Sequence, residues 1–416
     1  MLALDATLPP AILLGGGANA LSAARNLRRR GVHVLAPAGP AVLRVTGCCE
    51  WVRIPDGPDL PERWRDWLTG PAGRTLQGAV LFPCDDHGLE FVVRYRQALA
   101  GDFRVYEAND TVLAAMLDKG ETYHLARAAG VPVPRVWITD TRDALGAVLD
   151  VVRYPCGLKP RQSHRFARFA EEKLLVANSA AELEAAFRRV EPSGVPMLVT
   201  ELIPGGDAGY CSFYSYLDER GEPLFLFTKR KPRQFPAGFG TGTFHVTDWN
   251  PEVAALGLRF FQAIGLRGLA CVEFKRDPRD GDLKLIEVNH RLTEPNELLT
   301  RAGLDLPWLV YSRLTGRPLP PLATYRTGLC LAKPWTDLRA AAQLVRRGEL
   351  TWTSWLKSRL APSCHLYFQW WDPLPFLEQC GRYWWRQARK LAARPRPART
   401  HDDNAIPLQL PSHSSR

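Results

Sequence analysis

Apolar and polar positions follow two alternating patterns over the first hundred residues. Short apolar runs, which are typical of buried strands, occupy residues 11–15, 32–36, 51–54 and 79–83. The segments between and after these runs have the spacing of helices, at residues 20–30, 60–68 and 89–99. Because strands and helices alternate, the pattern predicts a parallel sheet with crossover helices, an α/β unit over residues 1–108.

A different pattern follows from residue 109 to residue 320. Helices are predicted at residues 123–129, 180–189 and 251–264, and strands at residues 133–138, 157–160, 174–177, 197–201, 269–276 and 283–289. Residues 210–217 and 223–228 alternate on either side of a polar turn, which predicts an antiparallel pair. Antiparallel strands with flanking helices make this part of the chain an α+β unit.

The pattern weakens after about residue 320. Residues 321–393 form a Trp-rich extension, and residues 374–391 are predicted as a basic, aromatic helix. Contact of this helix with a membrane surface is one interpretation. We favour packing of the aromatic side chains onto the rest of the chain, or a homodimer contact. Residues 394–416 are rich in Pro, Arg, Ser and His and are predicted to be a disordered tail.

The composition is that of a globular protein, with 46% hydrophobic and 23% charged residues. No segment approaches the roughly 20 apolar residues that a membrane-spanning helix needs. The first residues lack a basic segment and include Asp5, so we interpret them as a first strand and turn rather than a secretory leader. The 9 cysteines include no Cys-x-x-Cys pair and so suggest neither a disulfide framework nor a cysteine zinc site, and we expect a reducing cytoplasm.

The net charge is +11, with 54 Lys and Arg against 43 Asp and Glu. A nucleic-acid partner is one interpretation of this excess. The arginines are scattered, however, and many lie beside segments suited to phosphate. We therefore favour a basic cleft for an acidic small molecule and expect no nucleic-acid partner.

Two short motifs in the first unit have alternative interpretations. The glycines at 15–17 depart from the Gly-x-Gly-x-x-Gly spacing because Ala20 takes the last place, so NAD is not favoured. Residues 85–87, Asp-Asp-His, follow a strand and could bind a metal or substrate. We favour a helix N-terminus there, because acidic side chains stabilise the helix dipole.

The strongest chemical pattern lies on the two strands at residues 269–276 and 283–289. Side chains alternate along a strand, so Glu273, Glu287 and Asn289 are predicted to lie on one face. The apolar residues predicted on the opposite face are Val272, Phe274, Ile286 and Val288. Two carboxylates and an amide oxygen suit Mg²⁺, which leaves ligand positions for phosphate. An exposed sheet face with ordinary charges is the alternative.

Two further segments are suited to a nucleotide. Lys159 ends an apolar strand, where its point charge can reach phosphate oxygens, and a polar loop follows it. Glu201 ends another strand. Backbone groups of Leu202 and Ile203 could pair with an adenine edge. The carboxylate of Asp207 could accept hydrogen bonds from ribose hydroxyls.

A dense basic run, residues 228–236, precedes a glycine-rich turn at residues 238–242. A solvated face is one interpretation of such a run. We favour a loop over the active site, in which Arg230 and Arg233 would hold a substrate carboxylate through bidentate hydrogen bonds.

In this order, the elements over roughly residues 105–315 resemble the ATP-grasp superfamily. The resemblance implies a preATP-grasp domain at 1–108 and an ATP-grasp domain at 109–320, with a lid subdomain at about 132–200. The implied ATP contacts are the phosphate lysines Lys119 and Lys159, the adenine-side residues Glu201, Leu202 and Ile203, and the ribose acid Asp207. The implied magnesium ligands are Glu273, Glu287 and Asn289. Arg291 is implied to face the transferred phosphoryl group, with Glu294 or Glu297 as an acid after it.

The lid loop at residues 161–170 contains no glycine, unlike the loop of many members. In this respect the chain resembles a subgroup that includes D-aspartate ligase-like carboxylate–amine ligases. Arg161, Ser163, His164 or Arg165 would then replace the backbone amides that contact phosphate.

The resemblance implies a ligase that uses ATP and Mg²⁺, or Mn²⁺ in its place. It would join a carboxylate to an amine or thiol through an acylphosphate, with amino acids or small peptides as substrates. Two alternatives stay open: an ATP-grasp kinase or phosphotransferase that forms no amide, and a non-catalytic ATP-binding regulatory protein.

Overall fold

The structure is a computed structural model that describes residues 3–105, 108–170, 172–320, 322 and 324–392. The predicted tail at 394–416 lies outside this part of the chain. The described residues form three sheets of four, seven and four strands. The predicted combination of a parallel α/β unit and an antiparallel α+β unit is confirmed.

The N-terminal unit is built on an all-parallel sheet with the strand order β3-β2-β1-β4. Its strands are β1 (Ala11–Leu14), β2 (Val34–Pro37), β3 (Glu50–Val52) and β4 (Val80–Pro83). Its helices are α1 (Ala18–Arg28), α2 (Ala41–Val45), α3 (Leu60–Thr69), α4 (Pro71–Arg74) and α5 (Asp86–Leu99). Every residue of β1, β2 and β4 is buried, because helices cover both faces of the sheet.

The turn after β1 depends on glycine and on the start of α5. Gly15 and Gly16 adopt φ values of +72° and +84°, a region that other residues rarely enter. The carboxylate of Asp85 accepts hydrogen bonds from the backbone N–H groups of Gly16 and Gly88, each at 2.8 Å. Asp85 is therefore the N-cap of α5, as the helix interpretation of residues 85–87 predicts.

The residues predicted as the lid, about 132–200, form a second, antiparallel sheet with the strand order β5-β8-β6-β7, and we call this segment the lid. Two helices precede it, α6 (Asp110–Met116) and α7 (Lys119–Ala128). The lid strands are β5 (Val136–Ile138), β6 (Cys156–Pro160), β7 (Leu175–Ala177) and β8 (Met197–Glu201). Its helices are α8 (Arg142–Leu149), α9 (Ser163–Phe166) and α10 (Ala180–Val190). The lid has an apolar core of its own, which includes Leu158, Leu183 and Val199.

The central sheet has the strand order β13-β12-β9-β10-β11-β14-β15. The strands are β9 (Tyr210–Leu217), β10 (Pro223–Phe235), β11 (Thr241–Asp248), β12 (Gly268–Arg276), β13 (Leu283–Asn289), β14 (Cys330–Ala332) and β15 (Ser363–Cys364). The helices are α11 (Pro251–Ala263), α12 (Asn296–Ala302), α13 (Leu306–Leu314), α14 (Pro334–Arg346), α15 (Trp352–Arg359) and α16 (Leu374–Ala392). The segment after residue 320 therefore adds two strands to this sheet.

The basic run at 228–236 is not the loop that its sequence suggested. Residues 228–235 belong to β10, which pairs with β9 on one side and with β11 on the other. Lys229 and Lys231 are buried on one face, whereas Arg230 is exposed. Strand alternation divides the cations between the two faces of the sheet.

The C-terminal region is tied to the N-terminal unit by a buried ion pair. Asp372 is 6% exposed and accepts a 2.9 Å hydrogen bond from Nε of Arg25 in α1. The same carboxylate accepts a 2.7 Å hydrogen bond from the hydroxyl of Thr46. The guanidinium of Arg25 also lies over the ring of Trp371, at 5.9 Å from the ring centroid.

Other aromatic side chains of the C-terminal region are not packed in this way. Trp370 is 83% exposed, and Trp384 and Trp385 are 57% and 58% exposed. Trp371 packs onto the rest of the chain, the ring of Trp384 lies 5.7 Å from that of Trp335 in α14, and the homodimer contact stays a prediction. Within the described residues, no helix combines the length and the apolar character needed to cross a bilayer.

We predict that Asp372→Asn lowers the free energy of unfolding by about 3–5 kcal/mol, because it leaves the buried Arg25 charge without its counter-ion. Urea denaturation followed by circular dichroism measures this change. The control is Glu252→Gln, which removes the ion pair with Arg276 at 41% and 57% side-chain exposure and should cost less than about 1 kcal/mol. Equal losses in the two variants would contradict the prediction.

Candidate active site

A small cavity lies where the N-terminal unit, the lid and the central sheet meet. Its lining residues are Asp86, Leu89, Met116, Leu117, Lys119, Thr122, Tyr123, Ser163, Ile286, Glu287, Val288, Asn289 and His290. The cavity volume is about 20 Å³, which is space for roughly one water molecule. The cavity contains polar groups from four separate segments of the chain, an arrangement typical of functional sites.

Strand pairing brings the three predicted magnesium ligands to one face. Glu273 of β12 is the cross-strand partner of Glu287 of β13, and Cys271 is the partner of Asn289. Because paired residues project to the same side of a sheet, Glu273, Glu287 and Asn289 share one face, as strand alternation predicts. Glu287 and Asn289 line the cavity itself.

The prediction that Ile286 lies on the apolar face opposite Glu287 is wrong. The pairing shifts between Glu273 and Phe274, so that Phe274 pairs with Leu285 and leaves Ile286 as an extra residue in β13. Such a β-bulge changes the side to which the next side chains project. Leu285 is fully buried in the core, whereas Ile286 lines the cavity.

The two predicted phosphate lysines both reach the cavity region. Nζ of Lys119, at the start of α7, donates a 2.7 Å hydrogen bond to the hydroxyl of Ser163 in the lid loop. Nζ of Lys159, in β6, donates a 2.6 Å hydrogen bond to the hydroxyl of Tyr123. Burial lowers the pKa of Lys119 and lowers that of Lys159 to about 8.

Glu287 is held in its ionised form by the cations around it. Burial alone would raise the pKa of this carboxyl group. The charges of Lys119, Lys173 and Arg291 outweigh that effect and leave the pKa of Glu287 below its ordinary value. The charge of Glu287 in turn limits the fall in the pKa of both Lys119 and Lys159.

Arg291 connects the end of β13 to the N-terminal unit. Its Nε donates a 2.6 Å hydrogen bond to a carboxylate oxygen of Asp86, the first residue of α5. Burial would raise the pKa of Asp86, but the charge of Arg291 outweighs burial and lowers it. Arg291 therefore contacts a residue that lines the cavity, and its role beside the phosphoryl group stays a prediction.

Sequence reasoning missed the buried cations of β10 as site residues. Nζ of Lys231 donates a 2.8 Å hydrogen bond to Oε1 of Glu273 and lies 4.2 Å from the ring centroid of Tyr210. Nζ of Lys229 donates a 3.0 Å hydrogen bond to Ser212, and burial lowers its pKa. The alternation of residues 229–233, read as a strand, was the signal that could have found them.

Arg230 and Arg233 do not hold the positions predicted for them. Arg230 projects from the face opposite Lys229 and Lys231, and its Nε forms a 2.8 Å ion pair with Asp248. Arg233 is buried, and its guanidinium makes bidentate hydrogen bonds of 2.8 and 2.9 Å with Asp337 of α14. Both guanidinium groups are therefore paired away from the cavity.

The prediction that Asp207 faces a ribose does not fit its surroundings. Asp207 is 3% exposed. One oxygen accepts hydrogen bonds from Nε2 of Gln234 and the N–H of Gly238, and the other accepts from the N–H of Gln234. With both oxygens bound by β10 and the turn after it, Asp207 stabilises that turn.

The predicted adenine-side residues lie at the junction of the lid and the central sheet. Glu201 forms a 2.6 Å ion pair with Arg279, in the turn between β12 and β13. The carbonyl oxygen of Ile203 accepts a 2.8 Å hydrogen bond from Nζ of Lys275, and Leu202 between them is half-buried. This segment therefore joins the two sheets.

The lid-loop residues have separate partners. Arg161 forms 2.9 Å ion pairs with Asp118 and Asp140. Ser163 lines the cavity, whereas His164 and Arg165 both contact Glu90 of α5.

The two acids predicted after Arg291 also differ from each other. Glu294 is half-buried and forms an ion pair with Lys333. Glu297 is 4% exposed and accepts hydrogen bonds from Ser22, Arg301 and Gln369, so it belongs to the interface with α1.

Comparison with known proteins identifies one sequence relative. The chain is 25% identical over 237 residues to D-aspartate ligase of Enterococcus faecium (strain Aus0004), a match that covers 55% of this chain and 56% of that enzyme. The chain thus spans about half the length of this relative. No family model matches the chain.

Solved structures share the fold. The biotin carboxylase domain of Hydrogenobacter thermophilus 2-oxoglutarate carboxylase, solved with MgADP, ADP and bicarbonate, has a TM-score of 0.60 at 15% identity, covering 77% of this chain and 73% of that one. L-amino acid ligase from Bacillus licheniformis has a TM-score of 0.56 at 16% identity, covering 73% and 74%. These likenesses confirm the ATP-grasp fold to which the motifs pointed.

We predict that Lys159 titrates near pH 8, because its burial disfavours the ammonium form. Heteronuclear NMR of the protein with ¹³C-labelled lysine measures the midpoint, and Lys159→Arg assigns the signal. Glu287→Gln should move the midpoint lower, because it removes the carboxylate that favours the charged form. Lys284 is the control: although partial burial acts against its charge, Asp280 and Asp282 hold its pKa above the ordinary 10.5. A Lys159 midpoint near 10.5 would contradict this account.

Proposed function

We propose that the chain is an ATP- and Mg²⁺-dependent ligase that joins a small carboxylic acid to an amine through an acylphosphate. One observation carries the proposal. The carboxylate of Glu287 favours the charged form of two lysines, half-buried Lys119, which lines the cavity with it, and buried Lys159. Arg291 is balanced by Asp86, and Lys231 by Glu273. The excess of positive charge suits an anionic ligand such as a triphosphate.

The donor set fits Mg²⁺. Glu273, Glu287 and Asn289 offer two carboxylates and an amide oxygen from one sheet face, and Glu287 is held ionised. Lys231 contacts Oε1 of Glu273. The metal would neutralise phosphate charge and keep the β and γ phosphates of ATP in place.

ATP entry requires the lid to move. A cavity of about 20 Å³ is far too small for a triphosphate. Polar contacts hold the lid loop and strands: Ser163 with Lys119, Lys159 with Tyr123, Arg161 with Asp118, His164 and Arg165 with Glu90, and Glu201 with Arg279. Leu198 of β8 also packs in the apolar core that contains Met116 and Tyr123. An opening lid would expose Lys119 and Lys159 to the incoming phosphates, because Lys159 is part of the lid strand β6.

The reaction has two steps. A substrate carboxylate oxygen attacks the γ phosphorus of ATP, the bond to the ADP oxygen breaks, and an acylphosphate forms. The amine nitrogen then attacks the acyl carbon, the bond to phosphate breaks, and the nitrogen loses a proton. Catalysis would come from positioning and charge neutralisation. Lys229 and Lys231 replace Arg230 as the cations suited to the carboxylate, because they project to the face of Glu273.

The relative favours amide formation over a simple kinase reaction. Because the match is to a D-aspartate ligase, D-aspartate is the first amine or acid to test. A kinase that forms no amide and a regulatory protein without turnover are the alternatives that the following experiments separate.

We predict that Glu287→Gln lowers kcat/KM for ATP by at least two orders of magnitude, about 3 kcal/mol of transition-state stabilisation. The measurement is ADP release in a screen of amino-acid pairs, with mass spectrometry of the product. Arg230→Ala is the matched control, because its guanidinium is exposed on the opposite face, and it should stay within about threefold of wild type. Turnover by Glu287→Gln at near wild-type rate would refute the site assignment.

Hydroxylamine distinguishes the ligase from a kinase. In the absence of the amine substrate, ATP, Mg²⁺ and the carboxylic acid should yield the hydroxamate of that acid, because hydroxylamine intercepts the acylphosphate. Mass spectrometry detects this product, and omission of ATP is the control. ADP release without hydroxamate, accompanied by a stable phosphorylated product, would favour the phosphotransferase.

A further inference from the structure

A group of metal-ligating side chains lies beside the proposed active site and has no role in the reaction described above. His87 and Glu90 are three residues apart in α5, so they share one face of the helix. His164 comes from α9 in the lid loop. One ligand atom from each of the three side chains lies within 4.8 Å of the other two.

The contacts within this group are close. The Nε2 atom of His164 lies 3.0 Å from Oε2 of Glu90, and the rings of His87 and His164 meet edge to face with centroids 5.1 Å apart. His164 is 8% exposed, and its Nδ1 atom has no hydrogen-bond partner among the described residues. Nε2, the ring nitrogen beside Glu90, is the one placed to share an ion with that carboxylate.

We propose that His87, Glu90 and His164 form a binding site for a divalent transition metal ion of the zinc class. Two imidazoles and one carboxylate are a ligand set that Zn²⁺ takes, with water in the remaining position. Zinc–ligand bonds of 2.0–2.2 Å place ligand atoms about 3.4 Å apart. The His164–Glu90 pair is already at 3.0 Å, and the most distant pair, which lies within 4.8 Å, must close by at most about 1.4 Å. Nitrogen ligands separate this site from the oxygen site proposed for Mg²⁺.

Some charged groups around the site favour positive charge at its ligand side chains, and others oppose it. Burial lowers the pKa of His87, and the carboxylate of Asp85 acts in the opposite direction. Arg165 donates a 2.6 Å hydrogen bond to Oε1 of Glu90, and Arg168 acts against positive charge at His87. Oε2 of Glu90 is the oxygen free of Arg165. A groove of about 360 Å³, lined in part by Glu90 and His164, gives an ion access from solvent.

An ion bound here would act as a clamp on the lid. Two ligands belong to the N-terminal unit and the third belongs to the lid loop, next to Ser163 in the cavity. Metal bonds would replace the hydrogen bond between His164 and Glu90 with a stronger link. Because ATP entry requires lid movement, the ion would inhibit turnover. This effect on turnover rests on the proposed function, whereas ion binding and its effect on the lid do not.

The test uses Co²⁺ as a spectroscopic substitute for Zn²⁺. The protein is the full chain carrying Glu287→Gln, because this change removes a ligand of the proposed Mg²⁺ site. Titration of the metal-free protein should give ligand-field absorption that saturates at one equivalent of Co²⁺ and disappears when Zn²⁺ is added. His87→Gln and His164→Gln should each weaken binding by more than the 10- to 100-fold typical of an outer-shell partner.

The matched control is His33→Gln. His33 and Glu50 form an exposed His–Glu pair at 3.1 Å, so this variant removes a similar pair and should leave Co²⁺ binding unchanged. X-ray absorption spectroscopy at the zinc K edge, on the wild-type chain with one equivalent of Zn²⁺, should show two imidazole ligands. This measurement does not depend on the folding of a variant. Absence of the Co²⁺ bands, equal affinity in His164→Gln, or a spectrum without imidazole would overturn the site.

Limited proteolysis tests the clamp independently of any enzyme activity. One equivalent of Zn²⁺ should slow cleavage in the lid at residues 161–170 at least severalfold in wild type and not in His87→Gln. Zn²⁺ binding without this protection would overturn the clamp. Failure of ATP turnover with intact Zn²⁺ binding and protection would instead contradict only the proposed ligase function.

Discussion

The balance of charge around Glu287 is the interaction on which the rest of the site depends. Glu287 lines a cavity with Lys119 that has space for about one water molecule, and its charge favours the ammonium forms of both Lys119 and Lys159. The three charges come from β13, α7 and the lid strand β6. The pairing of β13 and the position of the lid strand β6 are therefore linked by electrostatics.

Strand alternation was sufficient to predict the face shared by Glu273, Glu287 and Asn289, because a period of two is local information. It failed at Ile286, where a bulge adds one residue to β13 and reverses the side chain. A bulge depends on the register with the partner strand, which no local pattern contains. The same limit applied to residues 228–235. Their charges suggested a loop, whereas burial of alternate lysines requires partners such as Glu273 and Ser212 that are distant in sequence.

The fold as a whole was more predictable than the partners of individual side chains. Alternating strands and helices gave the parallel unit, and the hairpin pattern gave the antiparallel sheet, because both follow from backbone hydrogen bonding and burial. Asp207 shows what such patterns omit. A carboxylate that follows a strand can accept hydrogen bonds either from a ligand or from backbone N–H groups. Asp207 bonds to the backbone because the turn after β10 places N–H groups beside it. The pairing of Asp372 with Arg25 similarly needed the path of the chain over 347 residues.

Helix α5 contacts the candidate site at two places, and through them the N-terminal unit is linked to the central sheet and to the lid. At its first residue, Asp86 orients Arg291 beside the cavity; one turn later, Glu90 holds His164 and Arg165 of the lid loop. Both contacts are ionic and both lie on segments that have no apolar core in common with α5. The same helix therefore contacts the end of β13 at one turn and the lid loop at the next, so the position of the lid loop relative to β13 is set through α5.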